Sequence, residues 1–374
     1  MSRYWNLSAP ITVHVELTEG CNEKCRHCYN FSRADDYDYK NISEDHLKKT
    51  IDELIKNKVM HVIITGGEPT LVHKKVKMLV EACVEAGISF SLNSNMKLVS
   101  MARLKEMKGW GIHHILTTLH SHKVSVHDYI TGVVGSFWST VKNIQKAQEQ
   151  GIRITVNTIL SDYNKKDIYN IGTFAKSIGV QKFLANRTIP SPSNKISLEP
   201  SYTATPKDMQ RMFNDLLRLK KDYGMQVGTC RTVPMCFFTD LEEYSAFTDR
   251  GCAAGKKHLV LDVGGNARAC VSENKTYGNI HKIGIKGVWE NMKVWRSLDY
   301  IPDGCQSCGL FDRCDAGCRL VALRHTSQMN GVDNLCKGPK EAGEKTNIIN
   351  SRQEHGFHIV RKQGAKVIFV DDPK

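Results

Sequence analysis

Apolar positions in the first two-thirds of the chain follow two alternating rhythms. Short apolar runs at residues 11–18, 61–65, 89–93, 113–120, 153–160 and 182–189 read as strands. Between them apolar residues return every three or four positions, the spacing of an amphipathic helix. Leu47, Ile51, Leu54 and Ile55 make one such face, and Ser43 followed by Glu44 and Asp45 marks its start. Phe137, Val141 and Ile144 make another behind Ser136, and Met209, Phe213, Leu216 and Leu217 a third. Strand and helix in alternation predict an α/β architecture, a parallel sheet with crossover helices, over roughly residues 11–223.

The 374 residues are long for one domain and suit two. No apolar run approaches a membrane span, and residues 1–10 lack the basic and apolar regions of a signal peptide. A cytoplasmic location is the expectation. There, 13 cysteines point to metal or cluster ligation rather than disulfides. The formal charge of +13 is scattered, as at Lys165–Lys166 and Lys220–Lys221. Scattered cations read first as a solvated surface and second as attraction for an acidic partner.

Three of the cysteines, Cys21, Cys25 and Cys28, are spaced C-x3-C-x2-C on the loop after the first strand run. Soft thiolates in this spacing hold three irons of a 4Fe–4S cluster and leave the fourth open. A structural zinc site, with His27 or His14 as fourth ligand, is the competing reading, but zinc sites usually repeat a C-x2-C arm. The run from Cys21 to Cys28 resembles the signature of radical S-adenosylmethionine (radical SAM) enzymes. His27 stands where that family usually has Tyr or Phe packing on the adenine. The resemblance implies an open, partial (β/α)6 barrel with its chemistry on the loops after the strand C-termini.

Further cofactor contacts follow from the same resemblance. Gly66-Gly67-Glu68-Pro69 after the second strand resembles the segment that binds the methionine amine. Asn93-Ser94-Asn95 matches a polar ribose-binding segment, Thr118 a cofactor-facing position on the fourth strand, and Asn157 a contact with the ribose or adenine. Where several relatives anchor the methionine carboxylate with Arg, shortly after a pair like His127-Asp128, this chain has Thr131. Five histidines between His113 and His127 suggest a second metal site only weakly. Residues 190–206, with four prolines, form a looser stretch that reads as a lid, a channel wall or an ordinary surface loop.

The last third carries Cys252, Gly265 and Cys270, then Cys305, Cys308, Cys314, Cys318 and finally Cys336. This array resembles the SPASM domain, which holds two auxiliary 4Fe–4S clusters. The resemblance assigns Cys305, Cys308, Cys314 and Cys336 to the second auxiliary cluster. It assigns Cys252, Cys270 and Cys318 to the first, with an upstream fourth ligand expected to be Cys236 rather than Cys230. Cys83, in a helical apolar pattern, is expected to be a core residue. The expected division is a barrel at 1–225, a SPASM domain at 226–340 and a tail at 341–374 with a hairpin.

The implied activity is reductive cleavage of S-adenosylmethionine and abstraction of hydrogen from a C–H bond, with three 4Fe–4S clusters, one binding the cofactor and two auxiliary. SPASM-bearing relatives mostly modify peptides, so the expected reaction is an oxidative thioether or carbon–carbon crosslink in ribosomal peptide maturation. Expected partners are a peptide with a leader, an electron donor such as flavodoxin or ferredoxin, and a separate leader-recognition protein. With only 20 residues before Cys21, an N-terminal recognition domain is not expected; a hairpin at 357–370 is the other candidate for leader binding. Competing readings are a small-molecule or tetrapyrrole-modifying radical SAM enzyme and, from another class, a zinc-containing nucleic-acid-binding module. Neither a membrane nor a nucleic-acid partner is expected.

Overall fold

The computed structural model describes residues 7–30, 38–191, 194–248 and 251–339. The proposed hairpin at 357–370 lies outside them. Among the described residues nine strands form one sheet: β1 (Thr12–Glu16), β2 (His61–Thr65), β3 (Ser89–Asn93), β4 (His114–Thr118), β5 (Arg153–Ile159), β6 (Lys182–Asn186), β7 (Gln226–Gly228), β8 (His258–Leu261) and β9 (Ala267–Arg268). Their order is β7-β6-β5-β4-β3-β2-β1-β8-β9. The six runs read from the sequence are β1 to β6, paired in parallel in chain order. Beyond them β7 adds to β6, and β8 adds in parallel to β1, with Thr12 opposite His258. Only β9 runs antiparallel, against β8.

The crossovers are α1 (Glu44–Lys56), α2 (His73–Ala86), α3 (Met101–Gly109), the pair α4 (Val124–Thr131) and α5 (Ser136–Glu149), α6 (Ile168–Ser177) and α7 (Pro206–Tyr223). Ser43 caps α1 as expected, its hydroxyl accepting from the His46 amide. Leu47 and Leu54 are buried, whereas Ile55 is 46% exposed, so the apolar stripe is narrower than the sequence pattern implies. The start of α5 differs from expectation. Ser136 is its first helical residue behind Gly135, and the free amides of Gly135 and Phe137 donate instead to the Asp128 carboxylate of α4. The longest helix, α7, begins with a reciprocal Thr205–Asp208 box and Pro206.

One apolar core runs through the molecule, from Val13, Val15 and Leu17 of the first strand region across Ile64, Leu92, Ile115, Val156 and Phe183. It continues into Leu259, Ile285 and Trp289. Each such large side chain contributes about 1.5–3 kcal/mol by leaving water. The segment after residue 225 therefore shares sheet and core with the barrel. Its helix Ile280–Asn291 lies against α1: the Ile285 amide donates to Glu53 at 2.7 Å, and the Trp289 indole donates to the Leu7 carbonyl. Short helices Asp303–Gln306, Phe311–Cys314 and Arg319–Thr326 then carry the late cysteines. No helix among the described residues is long and apolar enough to cross a membrane.

Candidate active site

The three-cysteine loop leaves the C-terminal end of β1, and other segments hold it mainly through its backbone. The last turn of α4 has carbonyls without helical partners. Those of Thr131 and Ile130 accept the amides of Lys24 and Arg26, both at 2.9 Å. The Arg26 side chain donates to the Tyr129 carbonyl and lies 4.0 Å above the Tyr129 ring. On the other side the buried Asn194 donates its amide hydrogens to the carbonyls of Arg26 (3.1 Å) and Cys28 (3.0 Å). Asn194 lies in the proline-rich stretch after β6, so part of that stretch fastens the cysteine loop. The sequence offered no signal for this beyond an Asn in a polar loop. Cys21, Cys25 and Cys28 are all partly accessible.

The turn after β2 is pressed against the same loop. The Gly67 amide donates to the Thr18 carbonyl and the Glu68 amide to that of Gly20. A Cβ on Gly66, where φ is +141°, would stand 2.4 Å from the Thr18 carbonyl oxygen, and one on Gly67 2.0 Å from that of Gly20. Both positions exclude any side chain. Glu68 is buried and its carboxylate is spent on neighbouring loops, accepting from Thr70, from the Ser94 hydroxyl (2.8 Å) and from the Asn95 amide (2.7 Å). Burial pushes its carboxyl upward against these bonds. Asn95 in turn donates to Asn22 at 2.7 Å, which links Glu68, Pro69 and the third-strand segment Asn93-Ser94-Asn95 to the cysteine loop.

Thr118 and Asn157 are direct neighbours across β4 and β5. Asn157 has a protein partner, accepting from Asn186 at the end of β6. The Asn186 side-chain oxygen Oδ1 accepts from the Thr229 hydroxyl and the amides of Cys230 and Arg231. Asn157 thus anchors the loop that carries Arg231. Thr131 is fully buried and bonded to the His127 carbonyl and Ser136, so it adds no cation for a carboxylate.

Three buried imidazoles gather behind the loop. His27 packs edge-on against His120, centroids 4.4 Å apart, and His120 stacks on His127 at 5.8 Å. Burial lowers all three, His27 and His127 to about 4, so they are neutral at pH 7. Of the other histidines in that stretch, His113 meets Lys108 and His114 meets Thr155. His14, the alternative zinc ligand, packs against His258 on β8.

The late cysteines form two groups. Cys236, Cys305, Cys308, Cys314 and Cys336 line one small pocket. This corrects the expectation for Cys236: its sulfur is 3.5 Å from that of Cys336, because the turn Met235–Phe237 packs against Cys314 and Lys337. The hydrogen bond between the two sulfurs pushes the Cys236 thiol up and holds Cys336 down. Cys252, Cys270 and Cys318 interact electrostatically with one another as a separate set. Beside them lies Arg231, 3.9 Å from the Cys270 sulfur and bonded to Ser272. Burial opposes its charge, yet the sulfurs of Cys270 and Cys318 hold it above the usual guanidinium range. Its guanidinium lies 6.0 Å from the ring of Tyr29, the residue after Cys28, so one cation lies between the two cysteine regions. Cys83 is buried in α2, where burial pushes its thiol up to about 12.

The residues around the first loop fit the cluster and cofactor that the motif implies. Asn22 Nδ2, His27 Nδ1, His120 Nε2 and His127 Nε2 are buried without a hydrogen-bond partner in the protein. His120 Nδ1 and His127 Nδ1 already accept from backbone amides, so their Nε2 atoms carry the hydrogens. Unused buried donors beside three partly accessible thiols mark a place that a polar ligand completes.

Residues 15–175 match the model of the Radical SAM superfamily. Across 88% of this chain and 97% of the relative, the sequence is 25% identical to the AdoMet-dependent heme synthase of Methanosarcina barkeri. It is also 25% identical to the subtilosin biosynthesis protein AlbA of Bacillus subtilis, over 88% of this chain and 71% of that one. The fold matches the crystal structure of Streptococcus suis SuiB bound to its precursor peptide SuiA, with TM-score 0.69, 18% identity, and 88% and 76% of the two chains covered. The chain carries a radical SAM domain over residues 15–175 and is an enzyme.

Proposed function

We propose that this enzyme removes hydrogen from a C–H bond of a ribosomally made peptide and leaves a thioether or carbon–carbon crosslink. The observation that carries the reading is the pair of late cysteine groups behind a radical SAM barrel, in a chain that aligns over 88% of its length with a protein of bacteriocin biosynthesis. In this reading Cys21, Cys25 and Cys28 hold the S-adenosylmethionine cluster. The segments of Gly66, Gly67, Glu68 and Pro69, of Asn93, Ser94 and Asn95, and of Thr118 surround the cofactor. The two late groups hold auxiliary 4Fe–4S clusters. When bound, these groups supply a 5′-deoxyadenosyl radical that takes a hydrogen atom and an acceptor for the electron left behind. The protein's part is to position the target bond and exclude water. A peptide leader and a small electron-transfer protein are the partners this requires.

A tetrapyrrole substrate is the second reading, favoured by the agreement in length with the heme synthase relative. The deciding experiment offers the anaerobically reconstituted enzyme two substrates: peptides from short reading frames beside its gene, and an iron porphyrin. A peptide that loses two hydrogens in step with 5′-deoxyadenosine supports the first reading. Turnover of the porphyrin alone overturns it.

A further inference from the structure

The buried cations of the described residues are offset by the protein itself. Arg187 pairs with Asp333, Arg268 with Glu16 and Lys256 with Asp315, while Arg319 donates to the carbonyls of Tyr300, Met329 and Gly331. Arg231, partly withdrawn from water after β7, is different. Among the described residues no carboxylate pairs with it. Its guanidinium donates to the Ser272 hydroxyl at 3.0 Å and to the Cys270 sulfur at 3.9 Å.

The framework fixes this arginine at both ends. Its backbone amide and that of Cys230 donate to Asn186 Oδ1 at the end of β6, and Asn186 is itself held by Asn157 of β5. At the far end Ser272, which accepts from the guanidinium, also donates its backbone amide to the Cys270 sulfur. That sulfur therefore receives two donors, one of them charged. Three neighbouring strands thus aim at Cys270 a cation that has no acid of its own.

A cation drawn out of water without an anion is costly, so the place calls for negative charge. Three thiols, Cys252, Cys270 and Cys318, form one set beside it, and a 4Fe–4S group on thiolates is anionic, so the donor set and the cation fit such a group. Each electron such a group accepts adds one negative charge. A fixed cation and a hydrogen bond at a ligand sulfur stabilise that added charge, which raises the reduction potential. We infer that Arg231 sets the reduction potential of the first auxiliary cluster, making it a readier acceptor for the electron left on the substrate. The inference rests on the auxiliary-cluster reading given above. Arg231 acts through Cys270 and is a positioning residue, one that touches no reacting atom.

The test is a redox titration of the reconstituted full-length protein, followed by electron paramagnetic resonance, on wild type, Arg231→Gln, Arg231→Lys and Ser272→Ala. The signal that added S-adenosylmethionine alters belongs to the first cysteine loop, and the remaining signals are auxiliary. Arg231→Gln keeps a hydrogen-bond donor and loses the charge. It is expected to lower the reduced-to-oxidised ratio of one auxiliary signal about tenfold at fixed potential, about 59 mV for one electron. Arg231→Lys should stay close to wild type, and Ser272→Ala should fall between them. Equal auxiliary midpoints in wild type and Arg231→Gln would overturn the inference. So would a Lys variant as low as Gln, since the charge would then be irrelevant. A shift confined to the S-adenosylmethionine-sensitive signal would also overturn it and assign Arg231 to the cofactor or to a substrate carboxylate. Should Arg231→Gln fail to hold its iron, Ser272→Ala decides: a wild-type midpoint there overturns the inference. Iron analysis before the titration tests the underlying reading separately, because a wild-type protein with only about four irons has no auxiliary cluster to tune.

Discussion

Arg187, the residue after β6, and Asp333, three residues before Cys336, form a bidentate ion pair at 2.8 and 2.6 Å in the interior. The Asp333 carboxylate also accepts the amides of Cys318 and Leu335, and Arg187 also donates to the Thr232 carbonyl. One charge pair thus ties the barrel to both groups of late cysteines.

Removing one partner of such a pair leaves the other charged and buried, which costs about 3–5 kcal/mol. Arg187→Ala is expected to lose that much in urea unfolding and to shed auxiliary iron. A double variant with apolar residues at both positions should recover only part of it, because the amides of Cys318 and Leu335 lose their acceptor. A near-neutral Arg187→Ala would refute the account.

Replacing Cys21, Cys25 and Cys28 together by Ala should abolish formation of 5′-deoxyadenosine and remove about four irons while the rest remain. Cys305→Ala or Cys314→Ala should still permit some cofactor cleavage but stop product formation. Cys83→Ala, in the core of α2, should change neither iron content nor activity. Equal loss of cleavage in both classes of cluster variant, with folding intact, would contradict this division of labour.

Asn194→Ala strips hydrogen-bond donors from two carbonyls of the cysteine loop, a penalty of about 1–3 kcal/mol. The loop should keep its iron but hold its geometry less well, slowing cofactor cleavage about tenfold. Asn194→Asp, which repels both carbonyls, should be worse than Ala. Equal rates for wild type and Ala would show that the clamp is dispensable.

His127 titrates near 4 in the folded protein, below its ordinary value of 6.5. Between those values the unfolded chain binds more protons, so stability is fully present above pH 6.5 and falls as the pH drops toward 4. His127 alone should cost the fold about 2 kcal/mol between pH 7 and pH 5. Urea titrations of wild type and His127→Gln at the two pH values check this. The variant should lose less stability on acidification, and an unchanged loss would remove His127 as the cause.

The strands and most of the helices were legible because burial on a parallel sheet demands continuous apolar runs, and β1 to β6 show them plainly. At helix starts the reading worked only where the cap is local. Ser43 serves its own helix, but the amides at the start of α5 are met by Asp128, eight residues before Ser136. The cysteine motifs were legible as ligands, yet which cysteines share a pocket depends on tertiary packing. Cys236 was therefore expected beside Cys252, Cys270 and Cys318 and stands beside Cys336. Arg187, Asn194 and Arg231 left no trace in the pattern, since each acts on a partner tens to more than a hundred residues away.

The parallel pairing of β8 with β1 has a kinetic meaning. The chain that carries the late cysteines is hydrogen-bonded, residue by residue, to the strand whose end launches the first cysteine loop. Such a splice leaves no hinge between the two regions. Under the proposed function, the gap an electron would cross between them is set when the protein folds, not sampled by domain motion during each turnover, so its passage should be indifferent to solvent viscosity.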